Sequence, residues 1–117
     1  MPVLCDFIQI VGDAGQPIPA TAPGAEVPLP DFNTGGRRAG ATALLVYSAM
    51  GLAGSAGVFI NGALVGTITA TPGTVFSTQL IAVAGREIRD GANEIVLRNV
   101  TDPFTIKDLI CFFHQSA

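Results

Sequence analysis

The stretch Ala56-Gly-Val-Phe-Ile-Asn-Gly-Ala-Leu-Val-Gly-Thr-Ile-Thr69 decides how the rest of the chain is read. Apolar runs at Val58 to Ile60 and Ala63 to Ile68 flank the pair Asn61-Gly62. Asn and Gly both tolerate positive φ, which a two-residue type I′ turn requires, and that turn has the twist of paired strands. The sequence therefore predicts a β-hairpin with its tip at Asn61-Gly62.

Outward from the hairpin, strand patterns recur. Residues 3–11 (Val-Leu-Cys-Asp-Phe-Ile-Gln-Ile-Val) read as a mostly buried first strand. Residues 41–50 (Ala-Thr-Ala-Leu-Leu-Val-Tyr-Ser-Ala-Met) are nearly all apolar, as expected of a central strand covered on both faces. Residues 75–83 form another strand, and Asp90-Gly91 introduces a turn before a strand over 93–100. There Ile95 and Leu97 share one face, with Glu94, Val96 and Arg98 on the other. The last strand runs from Phe104 to Gln115, with a bulge near Lys107-Asp108 where the apolar period slips. Residues 12–40 differ, with five of the chain's eight prolines and six glycines. Both residue types weaken ladders, so this segment is expected to be an irregular excursion or arm, with a short edge strand near Ala25 to Leu29. Seven or eight antiparallel strands without a helix predict an all-β fold, a single jelly-roll-type β-sandwich over residues 1–117.

Val58-Phe-Ile-Asn-Gly-Ala-Leu-Val-Gly66, then Phe76, then Gly91-Ala-Asn-Glu-Ile-Val-Leu97 resembles the galactose-binding-domain-like jelly roll. The likeness covers about residues 41–100. It implies that architecture and, among activities, lectin-like glycan binding, although folds of this kind host unrelated functions.

Composition narrows the classes. Only 13% of the 117 residues are charged and 49% are hydrophobic. That leaves few charges to cover a monomer and favours a protein that associates with other protein. Net charge is −3 and the six basic residues are scattered, which argues against nucleic-acid binding. No apolar run approaches the ~18 residues of a membrane helix. The start of the chain, Met1-Pro-Val-Leu-Cys5, lacks a basic n-region and a long apolar stretch, so synthesis in a cytoplasm without a signal peptide is expected, with a virion as one destination.

Chemistry-bearing residues are sparse. Cys5 and Cys111 are expected to be small buried hydrophobes, or a disulfide if the terminal strands lie side by side. With one histidine and two cysteines the ligand set is too small for a structural zinc, and no cofactor is expected. Ser55, Asp102 or Asp108, and His114 stand in a hydrolase order, but a triad is defined by geometry rather than order. His114 itself reads as a partly buried strand residue or an interface contact. The carboxylates are dispersed and select no catalytic pair. The expectation is a non-enzymatic structural or assembly protein that self-associates or decorates a larger particle such as a phage virion. The alternative is a lectin-like carbohydrate-binding module. Ligand or partner contacts would come from Asn33, Arg37, Arg38, Asn61 and Gln79, the polar loop and strand residues with hydrogen-bonding reach.

Overall fold

A computed structural model describes residues 3–116, with side chains over residues 5–115. Eleven strands are present: β1 (Val3–Val11), β2 (Gln16–Ile18), β3 (Glu26–Pro28), β4 (Phe32–Asn33), β5 (Ala43–Met50), β6 (Ala56–Ile60), β7 (Ala63–Ile68), β8 (Ser77–Val83), β9 (Ala92–Asn93), β10 (Ile95–Arg98) and β11 (Phe104–Ser116). The sole helical element among the described residues is one 3₁₀ turn, Gly85–Glu87. All pairing is antiparallel. One sheet has the order β1-β11-β5-β8, and β2 extends the β1 edge along β11. The second has the order β3-β10-β6-β7, and β4 pairs with β9 in a short ribbon.

The two larger sheets share one core. Leu45, Tyr47, Ile106 and Leu109 of the first pack against Val58, Ile60, Ile68, Ile95 and Leu97 of the second, all nearly fully buried. The shortest extent of the molecule, 19 Å, matches two sheets stacked about 10 Å apart with side chains outside. The fold is an all-β sandwich.

The hairpin forms where the sequence placed it. Asn61 and Gly62 have φ of 51° and 86°, and Ile60 pairs with Ala63 across the two-residue turn. The register then slips between Val58 and Phe59, so that Val58 faces Gly66. A Cβ on Gly66 would lie 2.6 Å from Ile81 Cγ2 in the opposite sheet, so the closest approach of the layers needs glycine there. The bulge in β11 also falls as expected: the register shifts between Lys107 and Ile110, and Asp108 has φ of 51°.

Four expectations are corrected. Residues 12–40 contain the expected short edge strand as β3, but the segment as a whole is folded back onto the sandwich. β2 pairs with β11, β3 with β10 and β4 with β9, while Ile18, Leu29 and Phe32 enter the core. Each run between prolines is too short for a long strand, but two or three ladder bonds and one buried apolar side chain suffice to pin it. Strand β5 is central but covered on one face only, alternating buried Leu45 and Tyr47 with accessible Leu44 and Val46. The strand over 75–83 begins at Ser77, leaving Val75 74% exposed. Finally, the terminal strands do pair, but Cys5 stands opposite His114 while Cys111 stands opposite Ile8. The two thiols point to opposite sides of the sheet, Cys5 exposed and Cys111 buried, and they are unpaired.

Candidate interaction surface

Register and alternation together define the outer face of the first sheet. Side chains directly opposite on paired strands point the same way, so the pairing can be read as rows across the sheet. One row runs Phe7–Phe112–Leu44–Ala82 and the next Gln9–Ile110–Val46–Leu80. Beyond them lie Lys107–Ser48–Thr78 and Pro17–Thr105–Met50, and at the opposite margin Cys5–His114. The two middle rows contain no ionisable group. Phe7 is 62% exposed, Leu80 64% and Leu44 39%. The rings of Phe7 and Phe112 are 6.1 Å apart and tilted, a favourable aromatic pair that is still open to solvent on one side.

The margins are more polar. Lys107 folds its ammonium over the Phe76 ring at 4.2 Å, covering one corner of the face. At the other end Cys5, Arg38, Thr42 and His114 line an open hollow of about 620 Å³. His114 is exposed, not partly buried as its apolar neighbours suggested, because Cys5 opposite it offers little cover.

The five polar residues singled out in the sequence do not converge. Asn61 is built into the scaffold: its Nδ2 donates to Glu87 O and to Asn93 Oδ1, each at 3.0 Å, and its Oδ1 accepts from Glu94 N at 3.0 Å. Asn93, 1% exposed, is the centre of this cluster. Its Oδ1 also accepts from Arg89 N at 2.7 Å, and its Nδ2 donates to Thr34 Oγ1 at 2.8 Å. Gln79 is equally engaged: its Oε1 accepts from Tyr47 Oη at 3.0 Å and from Thr69 N at 3.1 Å, and its Nε2 donates to Thr69 O at 3.0 Å. Burial pushes the Tyr47 hydroxyl up to about 12, so it stays a donor. Asn33 turns its Oδ1 to Gly35 N at 2.8 Å. Arg37 bridges to Gln115 through its backbone, and its Nε is buried without a partner. Arg38 lines the hollow beside Cys5 and His114, at one margin of the apolar face.

Ser55, Asp102 and His114 are not brought together. Asp102 precedes β11 and His114 lies near its far end, roughly 40 Å away at strand rise. The Asp102 carboxylate is occupied otherwise. It accepts from Ala53 N at 2.7 Å, Gly54 N at 3.1 Å and Thr101 Oγ1 at 2.6 Å. The Thr101 hydroxyl first, then the Ala53 amide, hold it below the ordinary carboxylate value. Among the described residues no three His, Cys, Asp or Glu side chains gather as metal ligands, and no helix is long and apolar enough to cross a membrane.

Sequence reasoning missed the apolar face because it read residues 3–11 as mostly buried and residues 41–50 as covered on both faces. The available signal was that both alternating positions of β5 and β11 are apolar, a pattern that fits a strand buried on two sides or one with an unfilled partner surface. Set against known proteins, the chain matches no family model and no curated protein.

Proposed function

We propose that this protein is a non-enzymatic assembly component, a small β-sandwich that associates with further copies of itself or seats on a larger particle such as a phage virion. The observation that carries this is the pair of uncharged apolar rows on the outside of the first sheet, Phe7–Phe112–Leu44–Ala82 and Gln9–Ile110–Val46–Leu80. Exposed contiguous apolar surface of this kind is uncommon on free monomers and marks association sites. The dispersal of the polar residues and the engagement of Asn61 and Gln79 in the scaffold support the same reading, since the hydrogen-bonding groups of those two amides are already taken within the fold.

The finer architecture we infer is a galactose-binding-domain-like jelly roll. Its support is physical: the Asn-Gly turn and the Gly-x-Asn element meet in the Asn61–Asn93 cluster, which explains why both belong to one pattern. The test of function is size-exclusion chromatography with light scattering over a wide concentration range, followed by a glycan array. A stable oligomer with no glycan hit is expected. A monomer at every concentration that binds a sugar overturns the assembly reading and installs the lectin-like one.

A further inference from the structure

Resting on that assembly reading, we infer that the outer face of the first sheet docks a second copy of this chain, sheet against sheet about a two-fold axis. Four observations select this occupant. First, the face suits itself. A two-fold interface sets one patch against its own image, so any charge near the axis meets its like. The middle rows hold none, and all nine carboxylates of this net-negative chain lie outside the rows. The charged groups at its margins are Arg38, His114 and Lys107, with Asp108 in the β11 bulge, too few and too mixed in sign to answer a strongly charged partner.

Second, no described segment of the chain is left to cover the face. Residues 12–40, the longest stretch without a strand of more than three residues, are pinned to the sandwich through Ile18, Leu29 and Phe32. Third, the size is adequate. Four strands about 4.8 Å apart, with about eight residues at ~3.3 Å each, give a face near 500 Å² per copy and roughly 1,000 Å² for a pair, which reaches the threshold of a specific interface when the polar margins around the two middle rows are included. Fourth, the face is stepped rather than smooth. Leu80 stands proud beside the short side chains of Ala82 and Ser48, and Phe7 stands proud at the opposite edge, offering knobs and hollows of the kind that interdigitate when two sheets pack.

The test compares three variants with the wild type by sedimentation velocity and light scattering, with circular dichroism and thermal melting as folding controls. Leu80→Lys and Leu44→Glu place a charge in the apolar rows. Leu64→Lys alters a residue of 60% exposure in the other sheet. The wild type is expected to be dimeric. Each face variant is expected to weaken dimerisation by roughly 100-fold or more at an unchanged melting profile, because an unpaired charge would be buried at the contact. Leu64→Lys is expected to leave the dimer intact. If the wild type associates and both face variants associate equally well, this docking assignment is overturned while the assembly reading stands. If the wild type stays monomeric throughout, self-association itself falls.

Discussion

The two outer faces of the sandwich start from similar strands and are covered to different degrees, the second keeping Leu64 as its exposed large apolar side chain. In the second sheet, Val96 points outward yet is only 4% exposed. Pro28 and Phe59 flank it in register, and Arg98 lies across Phe59 with its guanidinium 4.8 Å from the ring centroid. Arg98 also holds Glu26 through two hydrogen bonds, at 2.9 and 3.1 Å. One long cation thus roofs a small apolar patch with its stem and presents its charge to water. The first sheet has a counterpart in Lys107 over Phe76, but that covers a corner, and the two rows beside it stay bare. Strand hydrophobicity alone therefore does not tell a closed face from an open one. What tells them apart is whether a long side chain stands in reach.

The comparison presumes one interior shared by both faces, and the largest expected effect attacks it. Gly66→Val sets a branched side chain where Ile81 Cγ2 is already 2.6 Å from a bare Cβ, and should cost about 2–3 kcal/mol in urea denaturation by overpacking. Both faces should suffer together. A smaller loss, about 1 kcal/mol, is expected for Arg98→Ala, which unroofs Val96 and Phe59 and removes a half-exposed ion pair. The ion-pair part of that difference should shrink in high salt, because screening weakens the pair in the wild type and the variant has none to lose, and association should be unaffected. If Arg98→Ala instead dissociates the oligomer, the assignment of open and closed faces is reversed.

Acid sharpens the comparison from outside both faces. The Asp102 carboxyl sits below its ordinary 3.8 in the fold, so its contribution is present above that value and is lost as pH falls through the lower folded one. Asp102→Asn should flatten the acid limb of a stability-versus-pH curve and leave oligomer mass at neutral pH unchanged. The mildest probe perturbs nothing. Cys5 on the outer face should react with a maleimide in the native monomer, more slowly once associated. Cys111, its thiol pushed up to about 11 by burial, should react only on unfolding. Two equivalents labelled at once in the native state would break the inside–outside assignment of the first sheet.

How far the sequence spoke depends on the range of the interaction involved. The Asn61-Gly62 turn, the slip at Lys107-Asp108 and the inward pair Ile95 and Leu97 were legible because backbone conformation and side-chain period are local. The pinning of residues 12–40 was not, since a three-residue strand acquires its meaning from a partner some 70 or more positions away, as Val27 does from Leu97. The apolar face was illegible for a related reason. Leu44 and Leu45 look alike in sequence, and only the packing of the second sheet beneath the first decides that Leu45 is enclosed and Leu44 is not. Asn61 looked like a candidate contact because an amide's reach is visible in sequence and its existing engagements are not.

Strand β11 lies between β1 and β5, so it is the piece that joins Phe7 to Leu44 in one row. It is also the last strand in chain order. Strands β1 and β5 are synthesised well before it, but the apolar rows they flank become continuous only once β11 has threaded between them. A folding intermediate in which β11 is not yet seated therefore lacks the continuous Phe7–Phe112–Leu44 row.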